Sequence, residues 1–183
     1  MKRVLLPLML VPGTAFAHTG HAGDHPFLAG LTHPAFGADH LLAMVAVGLW
    51  AVTIGGRAMW ALPVAFVSAM LLGGLLGSAG VPLPGVEPMI LASVVALGVL
   101  TALALRPGLA TAVAFVALFG LFHGHAHGAE GPATGLASFA AGFVLTTMGL
   151  HLVGVMLGRV AQGALPRVIG ALTAAAGVAL AMM

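Results

Sequence analysis

The sequence has no cysteine, and only 5% of its 183 residues carry a formal charge. The first absence excludes a disulfide framework and any thiolate metal site, so a metal ion would have to be held by histidine nitrogen, carboxylate or carbonyl oxygen, or methionine sulfur. The second excludes a water-soluble globule. With 61% hydrophobic residues and a mean hydropathy of +1.15, there is too little polar surface to cover one. A basic patch for nucleic acid is missing as well. The sequence pI of about 10.6 rests on six Lys and Arg against four Asp and Glu. Two of the six, Lys2 and Arg3, lie in a segment expected to be removed, which leaves acids and bases balanced. No phosphate-cradling Gly-rich loop with its Lys occurs, so this chain alone cannot hydrolyse ATP. Nor is there a His-Glu-x-x-His pair, and none of Ser68, Ser78, Ser93 and Ser138 sits in a Gly-x-Ser-x-Gly elbow.

What the chain does have is nine His, 27 Gly and 11 Pro, the last two dispersed through long Leu/Ala/Val stretches as in membrane helices. Residues 1–17 read as a cleaved signal peptide: Lys2 and Arg3 form the positive start, Val4 to Val11 a short apolar run, and Ala15-Phe16-Ala17 a small-x-small cleavage site. Cleavage leaves His18 as the mature N-terminus, outside the cytoplasm. Residues 18–35 follow as a short extracytoplasmic segment carrying His18, His21, Asp24, His25 and His33. Residues 36–183 read as an all-α, polytopic membrane helix bundle of about six transmembrane helices, with apolar stretches near 37–55, 59–79, 88–105, 108–127, 134–157 and 166–183. The breaks between them hold Gly, Pro and nearly all the charge. If the first span starts outside, Arg57, Arg106, Arg159 and Arg167 all face the cytoplasm, as the positive-inside rule demands. Asp24, Asp39, Glu87, Glu130 and every His except His151 then gather at the outer face of the cytoplasmic (inner) membrane.

Two clusters stand out at that face. In the first, His33-Pro34-Ala35-Phe36-Gly37-Ala38-Asp39-His40 leads into a helix on which His40 and Met44, four apart, share a side. Its structural alternative is a capping Asp39 beside an interfacial His40. The second is Phe122-His123-Gly124-His125-Ala126-His127-Gly128-Ala129-Glu130, where continued helical geometry puts His123, His127 and Glu130 on one face, unless Gly128 ends the helix first. Two imidazoles and a carboxylate suit Ni²⁺, Co²⁺, Zn²⁺ or Fe²⁺; the alternative is a solvated His-rich loop. His151, with Thr147 and Met148 one turn before it, lies within the fifth span and is either functional or a neutral core residue bonded to a Thr or a carbonyl. For His18, His21 and His25, chelation through the new α-amine and an inert polar tail weigh equally. The Gly pairs Gly73/Gly77, Gly120/Gly124 and Gly154/Gly158 allow close helix packing, within the chain or in a homo-oligomer. Trp50 and Trp60 flank Arg57 and read as interfacial anchors.

The run from His33 through Asp39, His40 and Met44 to Trp50 and Ala51 resembles the signature of the HupE/UreJ family, membrane proteins associated with hydrogenase and urease maturation and regarded as nickel permeases. The segments His123 to Glu130 and Thr147 to His151 resemble that family's other two motifs, and the likeness spans the whole chain. It implies secondary uptake of nickel, with cobalt as the alternative, and no permanently bound cofactor. The ligands it implies are His33, Asp39, His40, His123, His127, Glu130 and His151. The partners expected are the lipid bilayer and the divalent ion. Competing readings are a metal-binding accessory or sensor protein in the membrane, and a membrane metalloenzyme, which the scarcity of carboxylates disfavours.

Overall fold

The computed structural model describes residues 25–161 and 163–183. The expected signal peptide and the positions His18, His21 and Asp24 lie outside the described residues. Within them the chain is helical: α1 (Pro26–Thr32), a 3-10 turn (His33–Ala35), α2 (Ala38–Ile54), α3 (Ala58–Ser78), α4 (Val86–Ala102), α5 (Leu109–Ala129), α6 (Leu136–Val160) and α7 (Leu165–Ala181). Six of these, α2 to α7, match the six apolar stretches. Helices α3, α5 and α6 are long and apolar enough to cross a membrane. The other three have 17 residues each, about 25 Å of helix, at the lower limit for a hydrocarbon core of about 30 Å. Leu72, Leu75, Leu145, Leu152, Met156 and Leu172 are exposed, an outward apolar surface that suits lipid and would be costly in water.

Chain connectivity puts Arg57, Arg106, Arg159 near the end of α6 and Arg167 near the start of α7 at one end of the bundle, and the α3–α4 and α5–α6 loops at the other, with α1 and the start of α2. The most extensive packing joins helices that are not sequence neighbours. Gly73 and Gly77 of α3 lie against the backbone of Leu121 and His125, while Gly120, Gly124 and Gly128 of α5 lie against that of Phe66, Met70 and Gly74. Both series ascend together, so α3 and α5 run parallel. A Cβ at Gly124 would fall on the Met70 carbonyl, which is why this seam needs glycine. Helices α2 and α6 form a second parallel pair, in which Gly48 meets the backbone of His151 to Val155. The glycine pairs are therefore used for packing within the chain.

Two further features depart from expectation. Residues 26–35, read as part of a short polar segment, form α1 and the 3-10 turn. Gly30 lies against the Phe139 backbone, and Thr146 Oγ1 donates to Leu31 O at 2.6 Å, so this element is docked on α6 and holds His33 over the bundle. Trp50, expected at the interface, is fully buried and its Nε1–H donates to Leu105 O at 3.0 Å. That bond satisfies the indole inside the core, as a buried Trp requires; Trp60, by contrast, is exposed.

Candidate metal site

At the start of α2, Asp39 Oδ1 accepts the backbone N–H of His40 at 2.8 Å and also contacts His40 Nδ1 at 2.8 Å. An ionised carboxylate only accepts, so Nδ1 carries the proton and Nε2 keeps its lone pair. Gly37 makes room for this pair, since a Cβ there would meet Asp39 Oδ1 at 2.9 Å and His40 Nδ1 at 3.0 Å. His40 Nε2 is buried and has no partner among the described residues.

The same logic fixes His123 on α5. Ser93 Oγ of α4 donates to Ile90 O at 2.6 Å and lies 2.9 Å from His123 Nε2. With the hydroxyl proton committed to the carbonyl, Nε2–H must be the donor, leaving a bare Nδ1 that is buried and unpartnered. Metal-binding histidines are oriented in this way by carboxylates and hydroxyls behind them. One turn further out is His127, with neither ring nitrogen partnered. The His40 ring touches both neighbours, at centroid distances of 4.8 Å from His123 and 4.3 Å from His127.

Helix α5 continues through Gly128 to Ala129, because Gly128 is clamped against Gly74 and does not act as a terminator. Glu130, the C-cap residue, therefore stays near the His127 side. His33, His127 and Glu130 bring ligand atoms within 4.8 Å of one another, and His33 Nε2 lies 3.8 Å from Glu130 Oε2. The Glu130 side chain is 64% exposed, whereas His123 is fully buried. The donors thus descend from a wet mouth into a dry interior. Burial pulls the pKa of His33 below the ordinary imidazole value of 6.5, opposed by the Glu130 carboxylate and aided by His40.

The sequence-derived residues fall into place unequally. His33, His127 and Glu130 form one convergent group, Asp39, His40, His123 and His127 a contiguous one, and His127 belongs to both. His151 on α6 touches neither; its ring packs edge-on against Phe66 at 5.1 Å, and Phe66 in turn lies 5.3 Å from His123. His151 is fully buried with both ring nitrogens unpartnered among the described residues, so the bond to a Thr or a carbonyl that the purely structural alternative required is not made. Thr147 Oγ1 donates to Met70 Sδ at 3.8 Å instead. His125 turns away, its Nε2 2.7 Å from Val81 O in the α3–α4 loop. Ser93, Phe66 and Phe143, whose ring lies 4.3 Å from His127, were not singled out for this site from the sequence. Ser93 could have been found as a hydroxyl in the middle of an apolar span; no local pattern marks the two aromatics.

Leaving a buried polar atom unpaired costs about 1–3 kcal/mol, and among the described residues six imidazole nitrogens are in that position. A nitrogen- and oxygen-rich donor set of this kind fits a first-row divalent ion. His151→Leu is accordingly expected to leave the protein as stable as before or more so, while reducing metal handling. A thermal melt in detergent beside a metal-uptake assay checks this, and a fall in melting temperature would mean that His151 has a structural role.

A model of the family described as HupE / UreJ protein matches residues 6–180. Protein HupE of Rhizobium leguminosarum bv. viciae is 44% identical over 180 residues, covering 96% of this chain and 94% of that protein. No solved structure matches the chain. On a family match over nearly the whole chain and 44% identity across 96% of it, the chain belongs to the HupE/UreJ family.

Proposed function

We propose that this protein is a secondary transporter that takes up a divalent transition-metal ion, nickel first and cobalt as the alternative, through the His33–Glu130 mouth and the His127–His40–His123 column. The observation that carries the proposal is the pair of oriented, buried lone pairs on His40 Nε2 and His123 Nδ1. They are continuous with a mouth whose donor atoms converge. Hydrated Ni²⁺ would exchange water for imidazole and carboxylate at the mouth, then move along successive imidazoles toward His151. Asp39 serves as the group that orients His40 and as the negative charge nearest the path. The arginine end faces the cytoplasm by the positive-inside rule. The histidine end and the mature N-terminus then lie outside the inner membrane. Lacking a nucleotide-binding loop, the protein would move its cargo down a gradient or with an energising partner, and it would catalyse no reaction.

The test is Ni²⁺ influx into liposomes that contain only this protein, compared with Co²⁺ and Zn²⁺. Saturable influx supports transport; tight binding without influx would instead mean a metal-binding accessory or sensor protein. The pH profile gives a second readout. Neutral imidazole is the ligand, and the lowered pKa of His33 keeps it neutral somewhat below the ordinary value of 6.5. Influx is therefore expected to be full above that value and to be lost as external pH falls through the lowered pKa. A profile that stays flat from about pH 5 to pH 8 would count against capture by histidine.

A further inference from the structure

We propose that the Phe66 ring is the barrier that divides the donor column into an outer compartment, His127–His40–His123, and an inner station at His151. The proposal builds on the transport reading and adds a residue that neither binds the ion nor orients a ligand. Depth along the helices sets the order. Counted from the histidine end at about 1.5 Å per residue, His127 lies about 3 Å and His123 about 9 Å down α5; Phe66 is level with Gly120, about 14 Å down α5, and His151 with Gly48, about 15 Å down α2. The Phe66 ring touches both imidazoles, at 5.3 Å and 5.1 Å, and the residue is completely buried.

A phenylalanine that only fills a core is surrounded by hydrocarbon. This one is in contact with two imidazoles that carry unpartnered nitrogens among the described residues, His123 Nδ1 and His151 Nδ1 and Nε2. It has no lone pair with which to hold an ion, yet its π face tolerates a passing cation, a combination that suits a door better than a binding site. Its backbone is pinned. A Cβ on Gly120 would fall on the Phe66 carbonyl, so α3 cannot slide along α5, and passage must come from rotation of the side chain. His151 is itself completely buried, and its backbone carbonyl is packed against Gly48 of α2. An ion at its ring would be out of contact with water.

Because the chain has no cysteine, His151→Cys and His123→Cys each create its sole thiol. The probe is Ag⁺ added from the histidine side, read out as protection of that thiol from maleimide after the protein is unfolded. His123→Cys is expected to be protected fast whether or not Phe66 is present. His151→Cys should be protected slowly with Phe66 in place, and about tenfold or more faster with Phe66→Ala, where access no longer waits for a local opening. Leu62→Ala removes an equally buried side chain one turn away on α3 and is expected to leave His151→Cys slow. Protection of His151→Cys as fast as that of His123→Cys with Phe66 intact would overturn the proposal, as would no acceleration by Phe66→Ala, or equal acceleration by Leu62→Ala. The experiment requires no net flux. If the protein binds metal without transporting it, the barrier is still tested, and the influx assay alone bears on transport.

Discussion

Asp39→Ala and His127→Ala are each expected to remove most metal uptake, about 10- to 100-fold, and the double mutant to lose little more than either. The reason is a chain of dependence through His40. Asp39 holds the His40 proton on Nδ1, which keeps Nε2 available, and the His40 ring lies 4.3 Å from that of His127. Without the carboxylate, His40 is free to change tautomer and rotamer, so the His127 side of the column faces an unprepared partner. Without His127, the oriented His40 has lost the link to the mouth. Groups that act on one ion through one another are non-additive, whereas independent residues multiply their effects. The check is Ni²⁺ uptake and affinity for both single mutants and the double mutant at matched protein abundance. Losses that simply multiply would mean that the outer His127 group is a separate vestibule.

Gly124→Ala is expected to destabilise the bundle by about 1–3 kcal/mol or more and to lower its abundance sharply, although only a methyl group is added. The new Cβ would fall on the Met70 carbonyl, and neither rigid helix has a flexible side chain to move aside. Separating α3 from α5 would also carry His123 and His127 away from the His40 ring, so uptake per molecule should fall together with abundance. Gly149→Ala provides the contrast. Nothing lies within 4 Å of a Cβ at Gly149, and replacing an exposed mid-helix glycine by alanine gains up to about 1 kcal/mol in a soluble helix. Thermal melts and membrane abundance of the two variants decide the matter: equal behaviour would mean that the α3–α5 seam is not a determinant of the fold.

Much of the architecture was legible before any coordinates. Six apolar stretches punctuated by Gly, Pro and Arg became α2 to α7, because in lipid every backbone polar group must be satisfied within the segment, which leaves the helix as the solution for such runs. The His123-x-x-x-His127 spacing and the nearby Glu130 could be assigned to one face for a comparable reason, since the period of the helix is a local property. Local information also misled. Trp50 near an arginine loop reads as an anchor until Leu105 O is seen to take its N–H, and residues 26–35 read as part of a short segment ahead of the bundle until the docking of Gly30 on Phe139 is seen.

The sequence by itself therefore determined the solvent this protein is built for, the number of apolar helices, and the segregation of histidine and carboxylate to one end and arginine to the other. Composition and periodicity are enough for those conclusions, because each follows from transfer free energies and helix geometry within one segment. Only the tertiary structure decided which helices run side by side: α3 pairs with α5 and α2 with α6, through close glycine contacts between residues about 50 to 100 apart in sequence. Together with the packing of α4 on α5, those pairings bring His40 against His123 and His127, let Ser93 set the tautomer of His123, and put Phe66 in contact with both His123 and His151. Tautomers and barriers depend on which atoms of distant segments come within hydrogen-bond or van der Waals reach, and no local pattern in the chain encodes that distance.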